Sequence, residues 1–149
     1  KKEGEVPLAA EFDKIHEDEF LGKETFEKAE SELVKDAVLN AVDNAKNNNI
    51  KNISFFSQDA TNFIVNMARR KERLDVLIMD PPRSGSTKEF LDATLYLAPK
   101  KIVYVSCNPH TQVEDLKVLL KDYKLIHIQP VDMFPHTSHV ETVVLLIRK

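Results

Sequence analysis

The sequence predicts an α/β fold: an open, mostly parallel sheet with helices on both faces and a reversed final strand. Three observations predict it. Between residues 50 and 121 short apolar runs alternate with helical patterns, the rhythm that parallel strands need for their crossovers. The last two apolar runs are joined by only Phe134 to His139, too short a link for a crossover, so the final strand must run antiparallel to its partner. The 149 residues, 42% of them hydrophobic, suffice for one domain with its own core.

In chain order, Glu11 to Phe20 carries Phe12, Ile15 and Phe20 at loosely helical spacing. From Lys23 to Asn48 the residues Phe26, Ala29, Leu33, Ala37, Val38, Ala41 and Ala45 recur every three or four positions, which predicts one amphipathic helix ended by Asn47-Asn48-Asn49. Residues 1–31 are therefore expected to form an atypical helical lead-in. Ile53 to Phe56 reads as a strand, Thr61 to Arg70 as a helix, and Leu74 to Met79 as a strand stopped by Asp80-Pro81-Pro82. Ser86-Thr87-Lys88-Glu89 reads as a capping box opening a helix to about Leu97. Lys101 to Ser106 is the next strand, after which Asn108 as cap and Pro109 at the first helical position open a helix to about Lys121. Lys124 to Met133 and Val140 to Ile147 are the closing hairpin.

Composition narrows the function. A net charge of −3 argues against the chain alone gripping a phosphate backbone strongly, and Arg69-Arg70-Lys71 is its one local basic run. No apolar run approaches the roughly 20 residues that span a bilayer, and Lys1-Lys2-Glu3-Gly4-Glu5 holds no signal-peptide core, so a soluble, cytoplasmic protein without membrane contact is expected. The 3 glycines, Gly4, Gly22 and Gly85, permit no G-x-G-x-x-G nucleotide loop. A single cysteine forms no internal disulfide and no cysteine-based metal site, so Cys107 is either buried filler or a working thiol.

Ligands of an open parallel sheet collect beyond the carboxyl ends of its strands. Asp80 follows one such end, Cys107 another, and Glu141 opens the reversed strand, so all three are expected at one edge. The predicted helix at Asn108-Pro109 points its positive end at the Cys107 sulfur, which favours a thiolate. Asp80-Pro81-Pro82-Arg83 is either a stiff turn presenting carbonyls and a carboxylate or an ordinary strand stop. His110, His136 and His139 read as surface loop residues rather than a zinc site or a Cys-His hydrolase, because no further ligand stands at zinc-like spacing, and no metal is expected.

Three ordered segments sharpen this reading: Asp80-Pro81-Pro82-Arg83-Ser84-Gly85, Tyr104-Val105-Ser106-Cys107-Asn108-Pro109-His110-Thr111, and Asp132-Met133-Phe134-Pro135-His136-Thr137-Ser138-His139-Val140-Glu141. Together they resemble the C-terminal motifs of the S-adenosylmethionine-dependent RNA uracil-5-methyltransferases, over about Glu32 to Lys149. The resemblance implies a Rossmann-like methyltransferase sheet, S-adenosyl-L-methionine as cofactor, and tRNA or rRNA as substrate. It implies Cys107 as the nucleophile that adds to uracil C6 and Glu141 as the base that takes the C5 proton. It also implies cofactor contacts from Asp80, from Glu32 in Glu32-Leu33-Val34-Lys35-Asp36 toward the ribose diol, and from Asp59 near the adenine. Asp59 reads equally well as the N-cap of the helix that follows it.

The departures from the family carry their own expectation. The glycine-rich loop that cradles the methionine moiety, the small N-terminal β-barrel that many members use to hold RNA, and the iron–sulfur cysteines are all absent from these 149 residues. Lys23 to Ser31 reads as helix where the family has a strand. The chain is thus expected to be the C-terminal part of such an enzyme, truncated or divergent, a single catalytic domain incomplete at its N-terminus, with Glu32 displaced onto a helix. A missing N-terminal domain would then be needed for full RNA binding, and Phe12, Phe20 and Phe26 would cover the bared face or pair two chains. The alternative is a non-catalytic module of the same fold that binds RNA or protein.

Overall fold

The structure, a computed structural model, describes residues 32–149. The chain forms two compact units, Lys1–Gln58 and Asp59–Lys149. In the first, α1 (Glu32–Asn47) is the later part of the long helix expected from Lys23. Its earlier part, the Glu11 to Phe20 segment and the lead-in over 1–31 lie outside the described residues. The helix ends where Asn49 takes a left-handed φ of 58° and Ile50 N donates to Ala45 O at 2.9 Å, a conformation asparagine tolerates better than most residues.

Ile53 to Phe56, expected as a strand, has no strand structure. A strand exists only through a ladder with a neighbour, and no strand of the sheet pairs with this segment.

The second unit holds α2 (Ala60–Arg69), β1 (Val76–Met79), α3 (Lys88–Leu97), β2 (Lys101–Ser106), α4 (Pro109–Leu119), β3 (Tyr123–Val131) and β4 (Glu141–Arg148). The sheet order is β1-β2-β4-β3. β1 runs parallel to β2, while β4 is antiparallel to both β2 and β3, so β3 runs with the first two. The expected mostly parallel sheet with one reversed strand is therefore present, and the reversed strand sits inside the sheet. Burial explains that place: Thr142, Val144 and Leu146 of β4 are buried, whereas every residue of β3 after Tyr123 is exposed. Pro130 of β3 has no N–H to give a ladder, which an edge position tolerates.

Side-chain alternation sorts the sheet into two faces. Met79, Ile102, Tyr104, Val144 and Leu146 form the core on one face with Leu91 of α3 and Leu116 and Leu119 of α4. Register carries the opposite face through Ile78, Val103, Val105, Val143 and Leu145. Among the described residues, no helix is long and apolar enough to cross a membrane.

The N-terminus of α3 differs from the expected capping box. Thr87 is the N-cap, accepting from Phe90 N at 3.1 Å. The Ser86 N–H that a capping-box Glu89 would satisfy already donates to Asp115 Oδ2 at 2.8 Å, so the cap moves one residue on. At α4 the expectation holds, with Asn108 as cap and Pro109 in the first turn.

Candidate active site

The strand directions bring the three motifs to one edge. Asp80 follows the last residue of β1, Cys107 follows the last residue of β2, and Glu141 is the first residue of β4. Met79 and Ser106 are buried on the helix-covered side of the sheet together with Thr142, so alternation turns Asp80, Cys107 and Glu141 to the opposite face. In the β2/β4 ladder Ser106 stands opposite Thr142. That pair is the last of the ladder, so Cys107 and Glu141 each adjoin its open end.

Cys107, Glu141, Asp80 and Arg83 line one open depression of about 670 Å³, floored by Val105 and Val143. Its apolar floor and charged rim suit a flat polar ring. The depression contains one cation, Arg83, whose Nη2 lies 3.0 Å from Nδ1 of His139 in the β3–β4 loop. Arginine carries only donors, so His139 Nδ1 is the acceptor and its proton sits on Nε2. Among the described residues, no three of His, Cys, Asp and Glu gather as a metal site.

A second cleft of about 520 Å³ adjoins the first and shares Asp80, Pro81 and Pro82 with it. Phe63 and Ile64 of α2 and Phe90 of α3 give it apolar walls, and Asp59 stands at its rim. Asp59 is also the N-cap of α2, its Oδ1 accepting from Asn62 N at 2.8 Å. The N-cap reading of this residue is the one its hydrogen bond shows. Glu32 opens α1 in the other unit, as the expected helical displacement requires, and its side chain lies outside the described residues.

The loop between β1 and α3 forms the wall common to both cavities, and α4 holds it. Asn108 Nδ2 donates to Arg83 O at 2.9 Å, and the Thr111 hydroxyl shares its one proton between Arg83 O at 3.2 Å and Asn108 O at 3.1 Å. Asp115, 6% exposed, accepts from Ser86 N at 2.8 Å and from the Tyr104 hydroxyl at 2.6 Å. Burial and the Asp115 carboxylate push the Tyr104 phenol well above its ordinary range. Gly85 turns the loop at φ +82°, and a Cβ there would meet Thr111 Cβ at 3.2 Å, so glycine serves both the conformation and the close approach. Buried Gln112 donates from Nε2 to Tyr104 O and Thr142 O, tying β2 to β4 near the end of the strands where Cys107 and Glu141 stand.

Sequence reasoning did not single out Thr111, Gln112 or Asp115. In the sequence they are polar residues of a helix and look like its wet face. The signal that could have found them is the proximity of three polar residues to a cysteine turn, combined with a weakly amphipathic helix.

Comparison with known proteins follows the same outline. A family model described as tRNA (Uracil-5-)-methyltransferase matches residues 20–149. A Staphylococcus epidermidis protein described as an uncharacterized RNA methyltransferase is 46% identical over 118 residues, covering 79% of this chain and 26% of that protein. A Porphyromonas gingivalis protein of the same description is 47% identical over 120 residues, 78% of this chain and 26% of that protein. Among solved structures, Pyrococcus abyssi tRNA (uracil-54, C5)-methyltransferase in complex with S-adenosyl-L-homocysteine is similar at 35% identity and a TM-score of 0.62, covering 76% of this chain and 26% of that one. The chain spans about a quarter of the length of these relatives.

Proposed function

The chain belongs to the tRNA (uracil-5-)-methyltransferase family, and from that premise we propose that it carries the base-binding part of an RNA methyltransferase site that transfers a methyl group from S-adenosylmethionine to C5 of a uridine in tRNA or rRNA. The observation that carries the reading is that Cys107 and Glu141, next to the open end of the β2/β4 ladder, line one depression with Asp80 and Arg83. The adjoining cleft fits an adenosine: flat apolar walls at Phe63 and Phe90, and carboxylates at Asp59 and Asp80 that accept from an amine or a diol. The cofactor, when bound, supplies an electrophilic sulfonium methyl group.

Uracil C5 is too weakly nucleophilic to take that methyl unaided. Cys107 Sγ bonds to C6, and the C5=C6 electron pair moves toward C5 and O4, giving an enolate whose C5 is the nucleophile. Cys107 immediately precedes Asn108, the N-cap of α4, so the nucleophile is carried on the turn that opens this helix. Once C5 carries the methyl, Glu141 takes the C5 proton, the S–C6 bond breaks with its electrons returning to Cys107, and the C5=C6 bond reforms. Val105 and Val143 hold water away from the ring face. The remaining length of a protein of this family, about three quarters by comparison with its relatives, would supply further contacts to the RNA.

RNA containing 5-fluorouridine at the target tests this, because fluorine cannot leave as a proton does. The full-length protein with this RNA and S-adenosylmethionine is expected to form a covalent complex stable on a denaturing gel and by mass spectrometry, and Cys107→Ala is expected to form none. A wild-type protein that forms no adduct, or a Cys107→Ala variant that still does, would sink the proposal and leave a binding module of the same fold.

A further inference from the structure

We infer that Asn108 and Thr111 are positioning residues that keep the cofactor cleft and the base depression in mutual register, an inference that rests on the function proposed above. The wall between the two cavities is Asp80-Pro81-Pro82. Both prolines have a fixed φ, so the wall moves as one piece with Arg83, and the Arg83 carbonyl is where Asn108 Nδ2 and Thr111 Oγ1 converge. Asn108 is the residue after Cys107, and Thr111 lies in the first turn of the same helix. The nucleophile-bearing turn and the cofactor wall are thereby joined by the Asn108 bond of 2.9 Å and by the Thr111 hydroxyl, which bridges Arg83 O at 3.2 Å and Asn108 O at 3.1 Å, with Ser86 N to Asp115 as a further tether along the loop.

Capping alone does not account for Asn108. The cap uses Oδ1, which accepts from His110 N at 3.2 Å, whereas the tether uses Nδ2. The two roles sit on different atoms of one amide and are separable by substitution. Asn108→Asp keeps a good helix cap, loses the donor and sets a carboxylate against a carbonyl. Thr111→Val removes the second donor at nearly constant shape.

The experiment compares two reactions of the full-length protein. Without cofactor, reversible addition of Cys107 to C6 and exchange of the C5 hydrogen through Glu141 release tritium from RNA bearing [5-³H]uridine, which reads the base depression alone. Methylation with S-adenosylmethionine reads the alignment of both cavities. Misplacement by about 1 Å costs on the order of a hundredfold in rate. The expected result is that Asn108→Asp and Thr111→Val each keep cofactor-free exchange within about twofold and lose about tenfold or more in kcat for methylation. Methylation within twofold of wild type in both variants overturns the inference, and so does a parallel loss of exchange and methylation, which would mark a role in Cys107 itself. A wild-type protein that neither exchanges nor methylates fails the parent function, and the positioning role with it.

Discussion

At the scale of single residues, the site separates what adds from what abstracts. Cys107 and Glu141 line the same depression, and in the proposed reaction loss of the carboxylate leaves the sulfur free to add while the C5 proton has no acceptor. Glu141→Gln is therefore expected to trap a methylated covalent complex on ordinary uridine RNA and to lower turnover by at least about a hundredfold; denaturing gels of stopped reactions measure both. Asp80, Cys107 and Glu141 were legible in the sequence because each stands at the end or start of an apolar run, and the family motifs named the same positions. The seat of Glu141 on the strand beside β2 was not, since it depends on which strand neighbours β2. Asp115 was hidden for another reason: a carboxylate in a helix reads as solvated, and only the tertiary arrival of Ser86 N and the Tyr104 hydroxyl buries it.

At the scale of elements, the helix caps show where local chemistry decides and where a distant group overrules it. Ser86-Thr87-Lys88-Glu89 fits a capping box by spacing, yet Asp115 claims the Ser86 N–H and Thr87 becomes the cap. Urea denaturation is expected to show Thr87→Ala destabilised by ~1 kcal/mol and Glu89→Ala within ~0.5 kcal/mol of wild type; the reverse order would restore the capping box. Asn108-Pro109 was read correctly because the local side chain itself meets the donor, Asn108 Oδ1 accepting from His110 N. The Ile53 to Phe56 segment shows the opposite failure, since an apolar run supplies strand propensity and only a neighbour supplies the ladder. Pro130 was the overlooked sequence signal for β3 as an edge strand.

At the scale of the whole molecule, a buried tyrosine at the far end of the sheet ties stability to alkaline pH. Tyr123, 1% exposed, donates from its hydroxyl to Pro99 O at 2.8 Å, joining the start of β3 to the α3–β2 link. Burial pushes its phenol from 10.0 up to about 12. The unfolded chain ionises first, so this contribution to stability is complete below pH 10 and is lost as pH climbs from 10 through about 12. Tyr104 shifts in the same direction. Thermal melts are expected to fall steeply across that window, with a shallower fall for Tyr123→Phe, which also loses roughly 1 kcal/mol at neutral pH with the hydrogen bond.

The interior seat of β4 has a consequence for how the sheet is made. Because β4 is the strand that both β2 and β3 pair with, and because it follows them in the chain, a growing polypeptide emerges from the ribosome with two open strand edges and nothing to close them. Until β4 arrives, those edges are free to recruit a neighbouring nascent chain. Ribosome stalling or cleavage before Glu141 would thus yield a sticky intermediate rather than a smaller version of the protein.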